Sequence, residues 1–284
     1  ASATRDKSLP YWLPAPPGPG PKRPRPDMLA EILNSHNYQA SLFAAPTFLT
    51  ASVLLAMGFM IRSHEQRSHV STSFCIMTAT GAIWLYSYSL MFCALREAVA
   101  IFWSQVGQVG VNLIPPAVFS FAASSLQSDA KLRRRVWLVW QLAFGFTLTL
   151  LLPEGFLAGV RLHRWGYYPV YDWLGTVFIG FFMLVMAVSL NMYWTSYSNA
   201  LPGPARSRNQ GLFTALCIAS IGSVDYLASL GVPLYPFGYL PVLGFVLLAN
   251  RTIRRYRLVN ITPEFAAKEI IDAMDDALLV LDNS

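Results

Sequence analysis

The residues with the strongest claim to chemistry in this chain are few, and they sit in or beside long apolar runs. Asp225 is an acid inside such a run, with Tyr226 next to it. A carboxylate left charged in lipid costs at least a few kcal/mol, so an intramembrane acid either serves a function or makes a helix-packing contact. Gln105, Gln108 and Asn112 recur at spacings of three and four residues, which puts them on one side of a helix. Amides so placed either bond neighbouring helices, at roughly 0.6–2 kcal/mol each, or line a ligand pocket. Further on, Arg161, His163, Arg164, Trp165, Tyr167 and Tyr168 cluster in one loop. That mixture suits an anionic or aromatic ligand arriving from outside, or the anchoring of the next helix at the membrane interface.

Familiar catalytic patterns are absent from the sequence. His36, His64, His69 and His163 form no HExxH pair, and there is no phosphate-cradling GxxxxGK[ST] and no GxSxG. Cys75, Cys93 and Cys217 lie in or at the edge of apolar segments without metal-ligand spacing or a disulfide framework, so they read as small buried hydrophobes. The reading therefore assigns no catalytic residue, no metal and no cofactor.

The elements that carry these residues follow from composition. The chain is 54% hydrophobic and 13% charged, against roughly 25% charged in soluble globular proteins. Its charges bunch between apolar stretches long enough to span a bilayer. Those stretches run from about Ala40 to Ile61, Val70 to Phe92, Val99 to Leu126, Val136 to Leu152, Trp173 to Thr195, Gly211 to Leu230 and Phe237 to Asn250. The fold class expected is all-α, a polytopic seven-helix transmembrane bundle. Its last span is the weakest, at 14 residues with Pro241 inside, where an untilted crossing needs roughly 20. In the third span Pro115 and Pro116 free backbone carbonyls and predict a kink. The stretch from Glu154 to Asp172 reads as a loop.

Net charge is +6, but the basic residues flank apolar segments, which is a membrane-orientation signal and not a nucleic-acid surface. With the C-terminal end in the cytoplasm, one side holds Arg62, Arg67, Lys131, Arg133, Arg134, Arg135, Arg206, Arg208, Arg251, Arg254, Arg255, Arg257 and Lys268. The other holds Arg96, Arg161 and Arg164. That imbalance predicts an N-out, C-in topology. Residues 1–27 stand apart: they are rich in proline, have no apolar period, and read as a disordered tail. Arg5, Lys7, Lys22, Arg23 and Arg25 in that tail oppose the charge rule, which favours Met28 as the start of the native chain.

Beyond the bundle, taken as residues 28–257, residues 258–276 read as a linker helix. Thr262-Pro263-Glu264 supplies an N-cap, a first-position proline and a first-turn acid. Ala267, Ile271, Met274 and Leu278 then form a short heptad seam. It suits a parallel partner helix, and hence a homodimer, or packing of the linker on its own next domain. Residues 277–284 read as a strand entering a turn. A lone strand has no partner, which points to a domain continuing after Ser284.

The stretch from Arg254 to Pro263 resembles the junction that follows the N-terminal seven-helix region of bacterial sensor histidine kinases. The sequel from Ile270 to Asp282 is similar to the opening of a PAS domain. Phe102-Trp103, Ile114-Pro115-Pro116 and the segment from Val232 to Tyr239 resemble the same family's pattern. The resemblance implies a sensory input module that relays a stimulus through the linker to PAS and a kinase core, with a response regulator downstream. These residues contain no phosphoacceptor helix and no ATP-binding domain, so kinase activity does not reside in them. A diguanylate cyclase output, a carrier or channel lined by Asp225 and the amides, and a passive membrane anchor stand as alternatives. Against the carrier, the two halves show no internal symmetry.

Overall fold

A computed structural model describes residues 28–64, 68–126, 130–152 and 155–255. It is mostly helical. The helices are α1 (Met28–Leu33), α2 (Ala44–His64), α3 (His69–Cys93), α4 (Glu97–Ser125), α5 (Ala130–Thr149), α6 (Trp173–Asn199), α7 (Pro204–Ile221), α8 (Tyr226–Ser229) and α9 (Tyr239–Arg255). Among the described residues, five stretches are long and apolar enough to cross a membrane: α2 through Ser63, α3, α4, α6, and α7 extended to Ser229. The two remaining long helices fall short for different reasons. α5 carries Lys131, Arg133, Arg134 and Arg135 in its first turns, and α9 has 17 residues and ends in Arg254 and Arg255.

Local signals explain the helix starts. Ser68 caps α3, its hydroxyl accepting from the amides of Val70 and Ser71. Asp172 caps α6, accepting from the Trp173 amide at 2.8 Å. Pro204 opens α7, where its missing N–H costs nothing. α4 packs on α3, α3 on α2 and α2 on α9, while α9 packs on α7, α7 on α6 and α6 on α4, so the helices close a ring. α3 and α4 approach most tightly: a Cβ on Gly110 would stand 2.6 Å from the Trp84 nitrogen. Small residues are what allow helix backbones to come this close in a membrane bundle. The N-terminal segment is fastened to α3 and α4. Gln39 N–H bonds Cys93 O at 2.8 Å, Trp103 Nε1 donates to Tyr38 Oη at 2.8 Å, and Arg96 pairs with Glu31 at 3.1 Å.

The structure corrects the all-α expectation. The region read as a loop before α6 is an antiparallel hairpin, β1 (Leu157–His163) and β2 (Gly166–Tyr171), with Arg161 opposite Tyr168. Arg164-Trp165 makes the turn, and Gly166 follows at φ 120°, a conformation glycine tolerates. The turn has none of the Asn-Gly or Asp-Gly dipeptides that advertise hairpins, and an irregularity between Leu157 and Gly159 breaks the alternation. The sixth apolar segment is also not one helix. α7 stops at Ile221, a 3-10 turn occupies Gly222–Asp225, and α8 adds one further turn. α4, by contrast, continues through Pro115 and Pro116. The tail, the seam of Ala267, Ile271, Met274 and Leu278, and the PAS-like strand lie outside the described residues.

Candidate functional site

A cavity of about 90 Å³ lies inside the ring, beneath the hairpin. Its walls come from α3 (Trp84, Tyr88), α4 (Val111, Ile114), the hairpin (Tyr168, Tyr171), α6 (Phe182) and the α7–α8 break (Asp225, Tyr226). The break is what turns Asp225 and Tyr226 inward together. Asp225 is 8% exposed, and the Gly238 amide donates to both of its carboxylate oxygens, at 2.9 and 3.0 Å. Gly238 immediately precedes α9, so this acid fastens the α7–α8 wall to the start of the last helix. There is no room for a side chain at Gly238, since a Cβ would collide with the Asp225 carboxylate.

The amide ridge reaches the same place. Tyr171 Oη donates to Gln108 Oε1 at 2.8 Å, and Gln108 Nε2 donates to Asn112 Oδ1 at 2.9 Å. Gln108 and Asn112 are fully buried, and Asn112 Nδ2 has no partner. Proline lacks the N–H that would complete the ladder, so Pro115 and Pro116 leave the carbonyls of Val111 and Asn112 without intrahelical donors. Gln105 shares the ridge but is exposed. It lies about 10 Å along the axis from Asn112; periodicity assigns a face, while burial depends on what covers that face at each height.

Tyrosines supply most of the remaining wall. Tyr88 meets Tyr168 edge-on at 5.6 Å, Trp84 meets Tyr88 at 6.0 Å, and Tyr171 lies 6.1 Å from Tyr226. Tyr168 Oη donates to the Asp225 carbonyl at 3.4 Å. Burial, and then the Asp225 charge, push the Tyr168 phenol well above its usual range, so it stays a neutral donor.

Sequence reasoning and the structure place the hairpin residues differently. Arg161 is exposed and His163 is half-buried, stacked on Trp165 at 4.6 Å, and neither lines the cavity. Burial, with Arg161 nearby, lowers the His163 pKa. Trp165 and Tyr168, which suited interface anchoring, are buried against the bundle instead. Tyr235, behind Trp165, is also held above the usual phenol range, chiefly by burial. Trp84, Tyr88, Tyr171 and Gly238 carried no signal of their own in the sequence. Aromatics in apolar helices are ordinary core residues, and only the packing of α3, the hairpin and the α7–α8 break brings Trp84, Tyr88, Tyr171 and Asp225 around one space.

Several apolar helices closed into a ring, with an aromatic and largely apolar cavity inside, define a multi-pass membrane protein. More narrowly, the family described as the N-terminal 7TM region of histidine kinase matches residues 46–263, and the chain belongs to that family. Comparison with curated proteins gives no match. The family is a membrane sensor region and not a catalytic domain.

Proposed function

We propose that this chain senses a stimulus in the cavity beneath its hairpin and relays it through α9 to a cytoplasmic histidine-kinase output. In this reading the chain crosses the bacterial inner membrane seven times, N-out and C-in, with α5 and α9 as the additional crossings. Family membership supports the sensory role, and the placement of Lys and Arg supports the orientation. The observation that carries the relay is the Asp225–Gly238 bond. It joins a cavity wall to the helix that leads towards the linker, so whatever competes for Asp225 acts on the start of α9. The linker seam would pair two copies, and a PAS domain and then the kinase would pass the signal to a response regulator.

Two measurements test this. Single cysteines beside Arg62, Arg134, Arg206 and Arg255, in a chain with Cys75, Cys93 and Cys217 replaced by alanine, should be labelled only from the cytoplasmic side. A dimerisation-dependent reporter fused after Ser284 should change its output when Asp225→Ala removes the acceptor of the Gly238 amide. Labelling from both sides, or a reporter indifferent to that change in a folded protein, refutes the relay.

A further inference from the structure

We propose that the cavity is a binding site for a small organic cation, an ammonium head held by the Asp225 carboxylate and the rings of Trp84, Tyr88, Tyr168, Tyr171 and Tyr226. The inference rests on the reading that this cavity receives the stimulus, and it supplies the ligand's chemical class. Among the described residues, no Lys, Arg or His lines the cavity, and its one formal charge site is an acid. The Gly238 amide reaches both oxygens of that acid and the Phe237 amide bonds it as well, which leaves only part of a carboxylate's roughly four lone-pair sites free. A buried carboxylate without a cation facing it is an incomplete pair.

The rings complete the argument. Aromatic faces carry negative potential, and several of them around one point is how proteins hold ammonium groups, more strongly where water is excluded. An anion fits poorly because the one formal charge in the lining is an acid and two of the tyrosine donors are already used: Tyr171 bonds Gln108, and Tyr168 bonds the Asp225 carbonyl. A metal ion fits poorly too, since the described residues contain no group of three His, Cys, Asp or Glu that could hold one. At about 90 Å³ the space is smaller than the roughly 150 Å³ apolar cavity that takes benzene. It therefore takes at most the compact head of an amine and excludes a bulky one.

The test is binding of tetramethylammonium and choline to the full chain in phosphatidylglycerol nanodiscs, read by calorimetry and by the shift in melting temperature. The control is 3,3-dimethylbutan-1-ol, which copies choline's shape without its charge. The expected result is saturable binding of both cations, at least about tenfold weaker binding of the neutral copy, and loss of cation binding in Asp225→Asn. If Asp225→Asn does not fold, Tyr226→Leu, which removes one ring, should weaken choline by about tenfold on its own. Nanodiscs containing phosphatidylcholine distinguish the source. Competition there assigns the site to a lipid head group, and unchanged binding assigns it to a soluble amine. Equal binding of choline and its neutral copy, no binding to folded protein, or full binding in the folded variant overturns the proposal. A reporter that answers some other stimulus while choline fails to bind removes this inference and leaves the sensory reading in place.

Discussion

Replacing Gly110 by alanine should loosen the bundle at its tightest seam. The added Cβ would lie 2.6 Å from the Trp84 nitrogen and 2.7 Å from the Thr80 carbonyl oxygen. Heavy atoms in comfortable contact are about 3.5 Å apart, so the overlap approaches an ångström. Both obstructing atoms are backbone and cannot rotate away, so α4 must withdraw from α3. Helix propensity favours alanine by about 0.8–1 kcal/mol, while overpacking of this kind costs about 1–3 kcal/mol. Because the backbone cannot yield, the upper part of that range applies, and a net loss of about 1–2 kcal/mol is expected. Gly145 in α5 is the matched control: a Cβ there meets nothing within 4 Å, so Gly145→Ala should be neutral or stabilising by up to about 1 kcal/mol. Both variants are compared by thermal and denaturant unfolding in one detergent, followed by circular dichroism. If Gly110→Ala proves as stable as Gly145→Ala, the close approach of α3 and α4 is wrong. The arrangement of Trp84 and Tyr88 around the cavity would then be wrong with it.

Three further outcomes follow from the same geometry. Tyr171→Phe strands the buried Gln108 oxygen and should cost about 1–3 kcal/mol; Gln108→Leu also strands the Asn112 oxygen, so the double variant should lose less than the sum of the two single losses, and additive losses would deny the bond. For His163, whose folded pKa is lowered by burial and by Arg161, the unfolded chain binds more protons just below its ordinary value. Stability is therefore complete above about pH 6.5 and declines as the pH falls towards the folded value. His163→Phe keeps a ring on Trp165 and should flatten that decline in a series of melts, whereas an unchanged slope would place the titration elsewhere. Arg96→Ala removes an ion pair whose partners are 55% and 33% exposed, so it should change stability by no more than about 1 kcal/mol, and a larger loss would mean that the N-terminal segment depends on it.

The long helices were legible because apolar length and basic flanks are properties of the sequence itself. α2, α3, α4 and α6 start and stop within a few residues of the expected places. Asp225 stood out because an acid in an apolar run is costly wherever it sits. Gln108 and Asn112 were found by helical spacing, which could not separate them from Gln105. What escaped was tertiary. The hairpin has an uninformative turn, and its Trp165 and Tyr168 resemble interface residues until the bundle is seen to cover them. The break at Gly222 has no proline to announce it, and Gly238 matters only because Asp225 is across from it.

The Asp225–Gly238 bond also sets a lever. α9 begins one residue after Gly238 and extends 17 residues to Arg255, a rigid arm of about 25 Å at 1.5 Å per residue. With its fulcrum at Gly238, a tilt of about 5° moves the Arg255 end by roughly 2 Å over an arm of that length. In the proposed relay, a reorientation of a few degrees at the bond thus becomes a shift of about 2 Å at the far end. The short last helix, a weak point as a membrane span, is long enough to provide that gain.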